Sequence, residues 1–194
     1  MNSQEQPSLI HYAMNFGAVM GVYYIVKFCL FPMSLSSTFA GMLFIVLTLM
    51  VPLLMYRLTI IYRDRYMHGK GMTFAHALAF AMLTMSFGSL LVSVAHYVYF
   101  AFIDGGAMVN ALEQSIEQMS ELLATEEIAQ ESIAQGATID EYIGMLHTTA
   151  AQIRALTPID MTISMLSSNL SWSVIVALPV AALISLRKHK QKTS

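Results

Sequence analysis

Charged side chains make up only 11% of the chain, against roughly 25% in soluble domains. That scarcity excludes an aqueous surface over most of the molecule. Cysteine occurs once, as Cys29 inside an apolar stretch, which excludes an intramolecular disulfide and a cysteine-based metal site. Also missing are a His-Glu-x-x-His pair, a phosphate loop, a dinucleotide-binding glycine motif and a nucleophile elbow. No basic face interleaved with aromatics offers itself to nucleic acid. The glutamates lack the tight loop spacing of a calcium site, so they read as a solvated face. No cofactor, metal, nucleic-acid partner or enzymatic activity is expected on this basis. The opening MNSQEQPSL has no basic n-region, and no small-x-small cleavage site follows a short apolar core. The first apolar segment is therefore expected to stay as an uncleaved anchor.

Hydrophobic residues supply what charge does not, at 56% of the chain with a mean hydropathy of +0.60. The longest charge-free run, Thr73 to Ile103, would reach roughly 46 Å as a helix, more than the roughly 30 Å hydrocarbon core of a bilayer. It must span, and membrane lipid is its solvent. Leu9–Leu30 is a second apolar run of crossing length, closed by the Pro- and Ser-bearing stretch 32–37, where the first helix is expected to end. Phe39–Ile61 is another, carrying Pro52, which membrane helices tolerate because neighbours re-satisfy the freed carbonyl. Pro158–Leu186 completes the set, with Thr157 as its cap, proline in the first turn and Asp160 at the positive end of the helix dipole. The expected architecture is all-α, with four spans at about 9–30, 39–61, 73–103 and 158–186 in a single membrane domain.

Basic residues near span ends orient such a chain, because Lys and Arg are retained on the cytoplasmic side. Arg57, Arg63, Arg65, Lys70, Arg187, Lys188, Lys190 and Lys192 share one side, and only Lys27 and Arg154 the other. Both termini are therefore expected in the cytoplasm. The opposite side holds the one sizeable polar segment, residues 104–157, which carries most of the acids. In it Val109, Leu112, Ile116, Met119 and Leu123 recur at helical spacing, as do Tyr142, Leu146, Ala150 and Ile153 after a break at Gln135-Gly136-Ala137. Thr138 to Glu141 reads as a capping box for the second helix. Neither stripe can hide itself, so the two helices should pack as an antiparallel hairpin or lie on the headgroups. The acidic charge favours the hairpin, since anionic lipid would repel it.

Two patterns stand out within the spans. Met82, Ser86, Ser89, Ser93 and His96 form a polar stripe that should face protein or water. It is either a polar path with His96 as a proton-accepting or ligand-binding group, or small-residue packing with His96 hydrogen-bonded; packing is the commoner use. Ala13, Gly17 and Gly21 form a small-residue ridge that lets another helix approach closely. The ridge can serve inside the bundle, which is preferred, or between copies in a homo-oligomer. Lys27 and Arg57 sit about 10 Å from their span midpoints and are long enough to snorkel toward opposite surfaces. Asn169 heads a glycosylation pattern, but within a span it should instead bond across helices.

Three stretches together, NFGAVMGVYY in the first span, SFGSLLVSVAHYVYFAFID in the third and RKHK after the last, resemble the family of bacterial, mainly Bacteroidota, inner-membrane proteins known as domain of unknown function 4199. The resemblance covers nearly the whole chain and carries over no catalytic residue. Relatives tend to place a proline after the aspartate that ends the third span; this chain has Asp104-Gly105-Gly106. The resemblance also implies an accessory role beside a polyprenyl-phosphate glycosyltransferase. A non-enzymatic accessory protein is the leading expectation; a small oligomeric transporter or channel-like protein using the stripe of the third span is the alternative.

Overall fold

A computed structural model describes residues 8–34, 37–67, 71–125 and 139–190. Every element among them is helical: α1 (Leu9–Ser34), α2 (Thr38–Tyr66), α3 (Phe74–Val98) with a π-helical turn at Tyr99–Ile103, α4 (Ala107–Thr125), α5 (Ile139–Arg154) and α6 (Pro158–Lys190). Four helices are long and apolar enough to cross a membrane, over Leu9–Ser34, Thr38–Tyr66, Phe74–Ile103 and Pro158–Leu186. The protein is thus an all-α membrane protein with four membrane-spanning helices.

Local chemistry sets the helix limits. Ser37 and Thr73 cap α2 and α3 by accepting from the amides of Ala40 and His76. At α6 the cap is reciprocal. The Thr157 amide donates to the Asp160 carboxylate at 3.0 Å and the Asp160 amide to the Thr157 hydroxyl at 3.3 Å. Proline interrupts less than its residue type suggests: α2 runs unbroken through Pro52, and α1 continues past Pro32 to Ser34. The helix thus ends within the stretch 32–37 where its end is expected, two residues beyond the proline. Proline loses only one backbone bond inside a helix, and the Ser34 hydroxyl adds a local one to the Phe31 carbonyl at 2.6 Å.

The spans alternate in direction. Tyr12 near the start of α1 meets Tyr62 and Tyr66 near the end of α2, and Tyr62 stacks on Phe80 of α3 at 4.0 Å and 7°. At the far end, where α3 leads into α4, Phe31 of α1 meets Phe44 of α2, and Phe28 meets His96 and Phe100. In cross-section α3 lies between α1 and α6, and α2 touches both of those helices. The near half is close-packed around Met20, Met55, Phe80, Met85 and Ile184, all of them essentially without exposed surface. The far half is looser. No residue of α2 between Ala40 and Val51, and none of α6 between Thr162 and Ser173, is buried.

At Asp104 the chain turns out of the bundle. Gly105 and Gly106 hold positive φ angles of 53° and 87°, a region that costs other residues energy and glycine almost none. The Asp104 carboxylate accepts from the amides of Gly106 at 3.1 Å and Met108 at 3.0 Å, tying the turn to the first residues of α4. α4 and α5 pack on each other. Val109, Ile116 and Ala150 are buried, and Leu146 and Ile153 are half-buried. Met119 departs from the expected stripe: it is 47% exposed. Arg154 in the last turn of α5 pairs with Glu113 in the first half of α4 at 3.3 Å. The side chains of Leu112, Leu123 and Tyr142 and the expected helix break and capping residue Thr138 lie outside the described residues, as do Lys70, Lys192 and the side chains of Arg187, Lys188 and Lys190.

Candidate functional site

The glycine ridge lies against α3. A Cβ at Gly17 would stand 2.6 Å from Phe87 Cβ and one at Gly21 2.5 Å from Leu91 Cδ2. Gly88 of α3 faces them, its absent Cβ 2.9 Å from Met20 Cβ and 3.1 Å from the Gly21 amide nitrogen. Ala13, one turn earlier on α1, is fully buried. Lipid tails are as apolar as leucine, so no hydrophobic gain drives two such helices together; close van der Waals contact does. The three glycines set that contact between α1 and α3.

The polar stripe of α3 does not act as one unit. Ser89 and His96 are buried, with 0% and 3% of their surface exposed, whereas Ser86 and Ser93 are half-buried. Ser93 donates to the Leu90 carbonyl at 2.7 Å, the local bond that satisfies a hydroxyl in a membrane helix. Thr59 and Thr162 make the equivalent bond to Met55 and Pro158. Thr84 Oγ1, Ser89 Oγ and His96 Nδ1 are different: all three are buried without a hydrogen-bond partner among the described residues. Buried polar atoms are nearly always paired, so orphans of this kind need a physical reason.

His96 sits at the far end of the stripe, its ring edge-on to Phe28 with centroids 4.2 Å apart. It also lines a cavity of about 240 Å³ into which all four spans project. Lys27 enters from α1, Phe44 and Thr48 from α2, and Ser168, Asn169 and Trp172 from α6. Asn169, expected to bond across helices, faces this space instead. The Lys27 ammonium lies 5.8 Å from the Tyr24 ring centroid and 5.3 Å from that of Phe44. Among the described residues no carboxylate pairs with it, and none lines the cavity. Arg57 is on α2 toward the other end, exposed.

A second cavity, about 300 Å³, lies beneath α4 and α5 and shares Met165 and Ser168 with the first. On the opposite face of α1 an apolar groove of about 560 Å³ runs between α1 and α3 and includes Cys29, which is exposed there. Among the described residues no group of three or more His, Cys, Asp or Glu side chains is placed to hold a metal ion. Spacing along α3 pointed to His96. Lys27, Thr48, Asn169 and Trp172 carry no shared signal in the sequence, because they come from three other helices.

No curated protein and no solved structure matches the chain. The profile of the family described as Protein of unknown function (DUF4199) does, over residues 15–185. That range takes in the glycine ridge from Gly17 onward, the α3 stripe, all four sides of the cavity and both helices of the polar insertion, and the chain belongs to the DUF4199 family.

Proposed function

We propose that the protein is a non-enzymatic accessory protein of the bacterial inner membrane, with both termini cytoplasmic and residues 104–157 presented on the opposite side to a membrane-protein partner. The observation that carries this reading is the build of that segment. α4 and α5 turn Val109, Ile116 and Ala150 toward each other and leave Glu117, Glu121 and Glu141 exposed. A unit that buries part of its apolar faces in its own packing and displays carboxylates suits recognition of a partner with a basic surface better than it suits lying on anionic lipid. Family resemblance suggests a polyprenyl-phosphate glycosyltransferase as that partner.

Orientation has a direct check. In a Cys29→Ser background, cysteines introduced as Lys70→Cys and Gln135→Cys should react with an impermeant thiol reagent from opposite sides of the membrane. Labelling of both from one side would overturn the four-span arrangement.

The partner reading is tested by mild crosslinking in cells followed by affinity purification, with the full chain and with residues 105–156 replaced by a short Gly-Ser linker. Specific partners should be lost with the segment. An identical partner set would remove the accessory reading. The transporter reading draws its support from the orphaned atoms of Thr84, Ser89 and His96, which could hold water inside the bundle. His96→Ala distinguishes the two: it should leave the crosslinked partners unchanged in an accessory protein and should abolish transport in a carrier.

A further inference from the structure

We propose that the cavity bounded by Lys27, His96 and Asn169 holds the phosphate group of an anionic membrane lipid. The inference concerns a ligand site within the spans and stands apart from the partner reading of the polar segment.

Charge is the first argument. Lys27 brings an ammonium into a cavity that no carboxylate lines, and its contacts there are the ring faces of Tyr24 and Phe44. An ammonium removed from water and left without an anion is costly, and among the described residues the cavity offers no acid to offset it. His96 adds a polar ring, 97% buried by its 3% exposure, with an unpartnered nitrogen. The Asn169 amide and Ser168 hydroxyl face the same space. Several donors converging beside one cation match an anion with several acceptor oxygens, and a phosphate is such an anion. The volume of about 240 Å³ is several times the roughly 30 Å³ of a liquid water molecule, enough for a phosphate with an ester oxygen.

Position and access favour a lipid over a free ion. Lys27 lies about 8 Å along α1 from the helix midpoint, inside a hydrocarbon boundary at about 15 Å. A lysine stem is long enough to reach toward that boundary, where lipid phosphates begin. The entrance is sideways. α2 buries nothing between Ala40 and Val51 and α6 nothing between Thr162 and Ser173, the stretches from which both helices line the cavity. Thr48 and the 58% exposed Trp172 stand at this opening. A lipid can therefore place its phosphate inside while its chains stay in the bilayer.

Trp172 is the single tryptophan of the chain and lines the cavity, so its fluorescence reports occupancy. The purified full-length protein in a neutral detergent is titrated with phosphatidic acid, with diacylglycerol of the same chains, and with inorganic phosphate. Phosphatidic acid should change the Trp172 emission saturably, and neither of the others should. Lys27→Met should weaken the phosphatidic acid titration about tenfold or more, and Lys27→Arg should keep it within about threefold, as expected for a charge-assisted contact. Equal titration by diacylglycerol would overturn the proposal on the wild-type protein alone, whatever the variants do. A Lys27→Met protein with unchanged helicity and melting that titrates like wild type would overturn it too. Saturation by inorganic phosphate, lost in Lys27→Met, would overturn the lipid assignment and transfer the anion site to a free ion.

Discussion

Gly88→Leu is expected to break the contact between α1 and α3 and to destabilise the bundle by about 3 kcal/mol or more, the upper part of the range for overpacking a close-packed interior. The new side chain would start 2.9 Å from Met20 Cβ and 3.1 Å from the Gly21 backbone nitrogen. The Met20 Cβ is fixed by its backbone as the Gly21 nitrogen is, so neither can withdraw without moving the helix that carries it. α3 is the element that both α1 and α6 pack against, so its displacement reaches both of its neighbours. Thermal unfolding in detergent should shift downward by on the order of 10 °C. Gly144→Ala provides the contrast: nothing lies within 4 Å of the Cβ it would add, and alanine should gain about 0.5–1 kcal/mol over glycine inside a helix. If the ridge joined two copies of the chain and not two helices of one, Gly88→Leu would change the oligomeric state and leave the melting of the monomer alone.

The second large effect is expected in the polar segment, where Ile116→Asp places a carboxylate in the face that α4 turns toward α5. Ile116 is 8% exposed, and an unpaired charge buried there should cost several kcal/mol. Glu117→Lys, one residue on and exposed, should stay within about 0.5 kcal/mol. Trypsin reads the difference, because Arg154 is the single lysine or arginine between Asp104 and Thr157. Its guanidinium pairs with Glu113 while its side chain remains 67% exposed, so cleavage there depends on how firmly α5 is held against α4. Ile116→Asp should be cut at Arg154 faster than wild type in detergent while the four spans stay intact, and Glu117→Lys, which adds its own site, is compared by the Arg154 product alone. Equal rates in wild type and Ile116→Asp would mean that the two helices do not stabilise each other.

Length, apolar runs and caps make the spans readable in the sequence, because a bilayer demands long helices whose backbone groups are satisfied within the segment. Thr157 and Asp160 mark the start of α6 by side-chain chemistry that acts within one turn. Pro32 marks the neighbourhood of the end of α1 and not its last residue, Ser34, since proline forbids one bond and not a helix. Met119 belongs to the α4 stripe by spacing alone, yet it is exposed. Periodicity names a face but not how far along that face the neighbouring helix reaches.

For the candidate site the division is sharper. His96 can be singled out from one helix, as the last member of the series Met82, Ser86, Ser89, Ser93 and His96, because residues at alternating spacings of four and three share a face whatever the fold. Sequence alone thus determined the four spans, the segregation of charge along the chain, the small-residue ridge and a polar face on α3. The partner of each feature was decided by tertiary structure: the ridge meets Gly88, the polar face splits into buried and half-buried members, and Lys27 joins His96, Asn169 and Trp172 around one cavity. The reason is that helical periodicity is a local rule over a few residues, whereas which helices adjoin, and where they part, depends on the packing of surfaces that lie up to about 140 residues apart in the chain.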